Sequence, residues 1–227
     1  MSITASKTAF TQNGVNVGGY LARPDSKDHR AAVIIVHEWY GLNRHLEDVA
    51  ERYAKEGYLA FAIDLYDGVL AKDDGEAAAM MSALDQTKAL NCLKGAVAHL
   101  RSQPGIERVG VTGFCMGGSF ALLLPCETEL DAAAPFYGDV PEDTSFISRL
   151  SCPLLFIGAE KDEWITIDKM KRLEAAIKKY DKQGEVVIYK NAPHAFFNDT
   201  REKLYRPDDA ADAWRRVLDF FGRYLGQ

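Results

Sequence analysis

The sequence predicts an α/β fold: a three-layer sandwich on a mainly parallel central sheet, with an antiparallel hairpin at its N-terminal end. Three observations predict it. The short runs Ala31–Val36, Tyr58–Ile63 and Pro153–Gly158 are apolar throughout, as strands are when helices cover both faces of a sheet. Segments of helical spacing stand between such runs, and alternation of strand and helix builds parallel sheets. The residues before Pro24 instead read as two strands around Asn13-Gly14, a strong hairpin turn signal. A chain of 227 residues suits one domain with a large core, expected to span 1–227.

The elements follow in order. Thr8 to Gln12 leads into the Asn13-Gly14 turn, Val15 to Ala22 returns, and Pro24 to Arg30 is a polar loop. After the strand Ala31–Val36 comes the loop His37-Glu38-Trp39-Tyr40-Gly41. Asn43 can cap a helix that runs to about Glu56 with Leu46, Val49, Ala50 and Tyr53 on one face, stopped by Gly57. The strand Tyr58–Ile63 ends at Asp64-Leu65-Tyr66, and the polar, glycine-bearing stretch 67–75 follows. A helical pair over about 75–83 and 85–101 precedes Pro104-Gly105, and Arg108 to Thr112 is the next strand. Beyond it come a helix from Ser119, a strand over Ala132–Gly138, a polar loop over Asp139–Arg149 and the strand Pro153–Gly158. A helix over Ile167–Tyr180, a strand over Glu185–Tyr189 and a closing helix over Ala210–Tyr224 complete the chain. The closing helix carries Ala213, Trp214, Val217, Leu218 and Phe221 toward the core.

Composition narrows the function. Apolar residues make up 47% and charged residues 26%, ordinary for a globular protein. A net charge of −6 argues against nucleic acid or an anionic membrane surface as partner. No apolar run approaches a membrane span, and the start Met1-Ser2-Ile3-Thr4-Ala5-Ser6-Lys7 lacks the apolar stretch of a secretory signal, so a cytoplasmic location is expected. Cys92, Cys115, Cys126 and Cys152 are scattered without a C-x-x-C pair, which gives no support to zinc ribbons or thioredoxin-type redox sites. Cys92, Cys126 and Cys152 read as core thiols.

Cys115 is different. It stands in Gly113-Phe114-Cys115-Met116-Gly117-Gly118, between a strand and a helix, and G-x-C-x-G is the nucleophile-elbow pattern with cysteine at the centre. Such a turn forces its central residue into strain and lifts the side chain out. The residues two positions away must be small because strand and helix nearly touch there. The unpaired N–H groups of the following helix can stabilise a thiolate and later an oxyanion. The alternative is a small buried thiol.

Ligands bind such sheets at the carboxyl ends of the strands, where Glu38, Cys115, Asp162 and His194 fall. A nucleophile, then an acid, then a histidine is the chain order of the α/β-hydrolases. Cysteine attacks as thiolate. Histidine titrates near neutrality and can take that proton and return it to a leaving group. A carboxylate behind the histidine fixes its tautomer. His194 alone follows the last strand. His29 in a polar loop and His99 in a helix read as surface residues, His45 opens a helix, and His37, at a strand end, is placed where it can line the site. The alternative for His194 is a loop histidine stacked on Phe196 or Phe197. For the acid, Asp162 has Glu160, Glu163 and Asp168 as rivals, and its alternative role is a helix cap, for which Thr166 is better placed.

With these residues the chain resembles the dienelactone hydrolases, the cysteine branch of the α/β-hydrolases, over nearly its whole length. The marks are His37 to Asn43, Asp64-Leu65-Tyr66, the elbow, Gly158 with Asp162, and His194-Ala195-Phe196. The resemblance implies Cys115 as nucleophile, His194 as base and Asp162 as acid, with an oxyanion hole from the backbone N–H groups of Met116 and Trp39. It also implies that Glu38 lies beside the cysteine and controls its ionisation. The sequence departs from the pattern at the arginine pair that holds the carboxylate of dienelactone in that family. No arginine occurs between Arg52 and Arg101, Asn198 stands four residues after His194, and Ala195 replaces serine. Arg201 and Arg206 are close in sequence.

Trp39, Tyr40, Phe114, Tyr137, Phe196 and Phe197 fall near strand ends, as pocket wall or as core. Tyr40, Phe114, Tyr137 and Phe196, with Asn198, are expected in the substrate pocket. The expected function is hydrolysis of a small-molecule ester or lactone through a thioester on Cys115, without metal or organic cofactor, in a monomer or small homo-oligomer. A non-catalytic binding protein on the same fold and a thiol redox protein using Cys115 are the alternatives.

Overall fold

The structure is a computed structural model that describes residues 1–12, 14–26 and 30–226. Asn13 of the expected turn and His29 lie outside the described residues. Among the described residues eight strands form one sheet: β1 Ile3–Gln12, β2 Val15–Pro24, β3 Ala31–Val36, β4 Leu59–Asp64, β5 Arg108–Phe114, β6 Ala132–Phe136, β7 Leu154–Lys161 and β8 Gly184–Pro193. Their order across the sheet is β1-β2-β4-β3-β5-β6-β7-β8. The β1/β2 and β2/β4 pairs are antiparallel and the rest parallel. Among the same described residues six α-helices flank it: α1 Arg44–Lys55, α2 Asp74–Ala83, α3 Gln86–Arg101, α4 Met116–Leu123, α5 Ile167–Lys179 and α6 Pro207–Phe221.

Side chains alternate across a strand, and β3 shows what that makes of an unbroken apolar run. Ala32, Ile34 and Val36 enter the core beneath α3, α4 and α5, while Ala31, Val33 and Ile35 enter the core beneath α1 and α6. Both faces are therefore dry, which is why the run carries no polar residue. Burying each such valine or isoleucine contributes about 1.5–3 kcal/mol. The Asn43 side chain accepts from Leu46 N at 3.3 Å and starts α1, a cap of about 1 kcal/mol.

Three readings change. The stretch expected as a polar loop contains a 3-10 turn over Ser145–Arg149 that buries Phe146 and Ile147. The helix after the elbow begins at Met116, three residues before the expected Ser119. Cys126 and Cys152 are buried, but Cys92 is only half-buried on α3. No helix among the described residues is long and apolar enough to cross a membrane.

Candidate active site

The carboxyl ends of β3, β5, β7 and β8 face one depression, and the elbow lies at its floor. Cys115 has φ 55° and ψ −118°, a conformation that costs a non-glycine residue about 1–3 kcal/mol. The surroundings impose it. Cys115 N donates to the Phe136 carbonyl at 3.1 Å, and its own carbonyl accepts from Ser119 N at 3.1 Å. A Cβ at Gly113 would collide with the backbone of Gly117, and one at Gly117 with the carbonyl oxygen of Val36, so only glycine lets strand and helix pass. Because α4 starts at Met116, that residue's N–H is one of the first-turn amides with no acceptor inside the helix.

Asp162 follows β7 directly, just beyond a register irregularity between Ala159 and Lys161, the kind of bulge that re-aims a strand end. Its Oδ1 accepts from Trp164 N and Ile165 N, both at 2.9 Å, and its Oδ2 meets His194 Nδ1 at 2.6 Å. The carboxylate thus holds its own loop with one oxygen and the imidazole with the other. Thr166 sits at the start of α5 without a side-chain cap bond. Burial pushes the Asp162 carboxyl up, but the imidazole and the two backbone donors outweigh this and lower it.

His194 stands between the rings of Tyr137 and Trp164, with centroids at 5.0 and 4.9 Å, not against Phe196 or Phe197. Burial disfavours its imidazolium, but the bond to Asp162 and the adjacent Cys115 thiol overcome this and raise its pKa to about 9. With Nδ1 on Asp162, Nε2 is the nitrogen left for other work. It is buried without a hydrogen-bond partner, so the nearby thiol acts on it by proximity, short of a formed bond. Catalytic contacts of this kind are often loose before substrate arrives.

Glu38 is buried. Its Oε2 accepts from Asn198 Nδ2 at 2.7 Å, and its Oε1 has no partner. Tyr137 has φ 37° and a buried hydroxyl, also unpartnered. Burial raises that phenol's pKa well above its ordinary value, and the negative charges of Glu38, Cys115 and Asp162 raise it further.

Two clefts open from this point. The larger, about 650 Å³, is walled by Met81, Leu84, Phe120, Leu123, Ile165 and Tyr137 among others. The smaller, about 290 Å³, is walled by Glu38, Lys161, Glu163, Arg201 and Leu204 among others. Trp39, Cys115, Trp164 and His194 belong to both. The expected pocket residues divide. Tyr137 lines the larger cleft, but Phe114 is packed among Phe136, Tyr137 and Phe197 in the core. Phe196 packs on Tyr189 and Tyr137 in the same core. Asn198 lies behind Glu38 and also binds Thr200. Tyr40 hydrogen-bonds Asp74 and receives a bond from Arg201 at 3.3 Å, outside both clefts. The aromatic residues were expected by their closeness to strand ends, and each strand end has two faces, one of them core; Asn198 was expected because it stands four residues after His194. Arg206 pairs with Asp209, whereas Arg201 reaches the smaller cleft.

His37 does not line the site. It is fully buried, its Nε2 accepts from Leu65 N at 3.0 Å, and its Nδ1 bonds the Glu38 carbonyl at 2.6 Å. That carbonyl also accepts from Gly41 N at 3.1 Å. Fixing the carbonyl fixes the whole peptide plane, so the Trp39 N–H on its far side is aimed away from His37. Sequence reasoning missed this supporting role. The only signal was a histidine directly before the Glu38-Trp39 pair.

The sequence profile of the dienelactone hydrolase family matches residues 17–225. Protein usf of Aquifex pyrophilus is 35% identical, with 95% of this chain and 97% of that protein covered. A protein of Aquifex aeolicus (strain VF5), provisionally named a carboxymethylenebutenolidase, is 32% identical over 95% of this chain and 97% of its own. The crystal structure of a provisionally named dienelactone hydrolase from Klebsiella pneumoniae subsp. pneumoniae superposes with a TM-score of 0.90 at 30% identity, covering 99% of this chain and all of that one. An acylaminoacyl peptidase of Pyrococcus horikoshii, 16% identical with a TM-score of 0.77, shares the fold alone. By profile and by whole-length relatives, the chain belongs to the dienelactone hydrolase family.

Proposed function

We propose that this protein hydrolyses an ester or lactone of a small molecule in two steps through Cys115. The thiolate adds to the carbonyl carbon, and the carbonyl electron pair moves to oxygen, which the N–H groups of Met116 and Trp39 receive. When the tetrahedral species collapses, the C–O bond breaks. The proton that His194 took from the thiol goes to the departing alkoxide, and a thioester remains. Water then adds to the thioester while His194 takes its proton. Collapse releases the acid and returns the proton to the thiol. With a lactone the alkoxide stays tethered, and the product is a hydroxy acid. Asp162 holds the imidazole in the tautomer that presents Nε2 and supports its charged form. Glu38, a wall of the smaller cleft together with Cys115, sets the charge beside the thiol and so the pH at which it ionises. The family's place among hydrolases supports this reading, as does the absence of any other cysteine from either cleft among the described residues. We read the protein as cytoplasmic, acting as a monomer or small homo-oligomer.

One observation carries the proposal: the strained Cys115 and the Asp162-bound His194 share the walls of the same two clefts. The test is hydrolysis of p-nitrophenyl acetate and of a lactone by wild type, Cys115→Ala and His194→Ala, with mass spectrometry of the acetylated enzyme. Loss of turnover in both variants and an acetyl group on Cys115 are expected. Thiol loss that depends on peroxide and not on His194, or inertness of the wild type, overturns it.

A further inference from the structure

We propose that the natural substrate is two-sided, with an extended, largely apolar arm on one side of the scissile carbonyl and a short group on the other. This rests on the hydrolase reading above and names its substrate class. The two clefts meet at Cys115, so a carbonyl over the thiol sends its two substituents in different directions. The clefts differ in size.

The larger, at about 650 Å³, lies within the range that encloses a drug-sized molecule, roughly 300–1,000 Å³, and exceeds what a single small lactone ring fills. Its walls are mostly aliphatic and aromatic. His194 is paired with Asp162, and the other charged residues, Asp139 and Lys169, pair with each other at 2.6 Å, so every charge on this wall already has a partner. Among the described residues six large apolar side chains are exposed; one of them, Met81 at 41%, belongs to this cleft alone, and another, Trp164 at 57%, stands where the two clefts meet. Apolar surface left wet at the mouth of an apolar cavity is surface awaiting an apolar ligand. The smaller cleft, about 290 Å³, carries Glu38, Lys161, Glu163 and Arg201. The surface it exposes is nonetheless mainly apolar, so its small volume, and not its polarity, limits the group it takes.

The experiment follows kcat/KM by pH-stat over two ester series. In one the acid lengthens from acetate to octanoate on a constant propanol; in the other the alcohol lengthens on a constant acetate. In one series kcat/KM should rise about two- to fourfold per added methylene until the cleft is filled. Leu84→Trp narrows the larger cleft, and Met81→Glu charges its exposed mouth without burying anything. Each should cut the long-to-short ratio about tenfold, while Ile188→Ser, exposed and outside both clefts, should leave that ratio alone. Flat profiles in both series, or variants that keep the ratio, overturn the inference while short esters are still cleaved. If no ester is cleaved at all and Cys115 is never acylated, the hydrolase reading fails instead.

Discussion

Asp162→Asn probes the electrostatics of the site with little other disturbance. The asparagine oxygen can still accept from Trp164 N and Ile165 N, so the loop keeps its two bonds, while the charge facing His194 Nδ1 at 2.6 Å is lost. Burial alone would depress His194. The carboxylate, with Cys115, carries its pKa instead from 6.5 to about 9, equivalent to about 3 kcal/mol in favour of imidazolium in the folded chain. A folded pKa above the unfolded one stabilises fully below about pH 6.5, and that stabilisation is lost as pH rises through about 9. In the variant burial should prevail and the imidazole should titrate at or below about 6.5.

Three readouts follow. The NMR titration of the imidazole, identified by its loss in His194→Gln, should move down by about two pH units or more. Urea denaturation at about pH 6 and about pH 9.5 should show a difference in stability that shrinks by about 2–3 kcal/mol. The kcat/KM at neutral pH should fall about 10²- to 10⁴-fold. The high-pH limb of its profile, set by the imidazolium that protonates the alkoxide, should move from about 9 toward neutrality. A wild-type imidazole that titrates near 6.5 and is indifferent to the substitution would refute the reasoning.

Other substitutions reach the parts around this pair. Gly117→Ala drives a Cβ into the Val36 carbonyl and should destabilise by more than about 3 kcal/mol in urea denaturation. Glu38→Gln should shift the pH dependence of iodoacetamide labelling at Cys115, and an unchanged profile would dismiss Glu38 as a control on the thiol. His37→Leu strands the Leu65 N–H and frees the Glu38 carbonyl of its ring partner. It should cost about 1–3 kcal/mol of stability and lower kcat more than it changes KM, because the Trp39 N–H loses its aim. The same histidine is held neutral, its pKa lowered by burial against the pull of the Glu38 carbonyl and Asp64. Acid below about pH 6.5 should therefore weaken the wild-type fold, and weaken His37→Leu less.

What could be read in advance was what depends on short-range sterics or on solvent exclusion. The fully apolar β3, and β4, apolar up to its terminal Asp64, had one home, and Gly113 and Gly117 announced a close crossing of strand and helix. The cleft walls were not legible, because Met81, Leu84, Phe120 and Leu123 carry no mark that separates them from the buried face of an ordinary helix. Only the tertiary arrangement leaves them facing a void. Phe114 and Phe196 misled for the converse reason. They flank the reacting residues in sequence, and the alternation that points Cys115 outward turns its neighbour Phe114 into the core. His37 acts through a backbone carbonyl one residue on and an N–H from the next strand's end, a role fixed by three-dimensional pairing alone. The segment at 145–149 was polar in composition, yet Phe146 and Ile147 within it were enough to bury a turn.

The structure divides its labour between rigid and lightly held parts. Each side chain of the proposed triad is held by several contacts: Cys115 by two backbone bonds and the crossing at Gly113 and Gly117, Asp162 by two amides, His194 by a carboxylate and two rings. That redundancy offsets the backbone strain at Cys115 and keeps the reacting atoms in place before substrate binds. The helix that closes the larger cleft is held differently, since α2 buries only Ala77 along its length. Substitutions on α2 can therefore reshape what the cleft admits at little cost to the fold, and none of its residues bonds Asp162 or His194. On this scaffold selectivity can drift while the proposed reaction stays fixed.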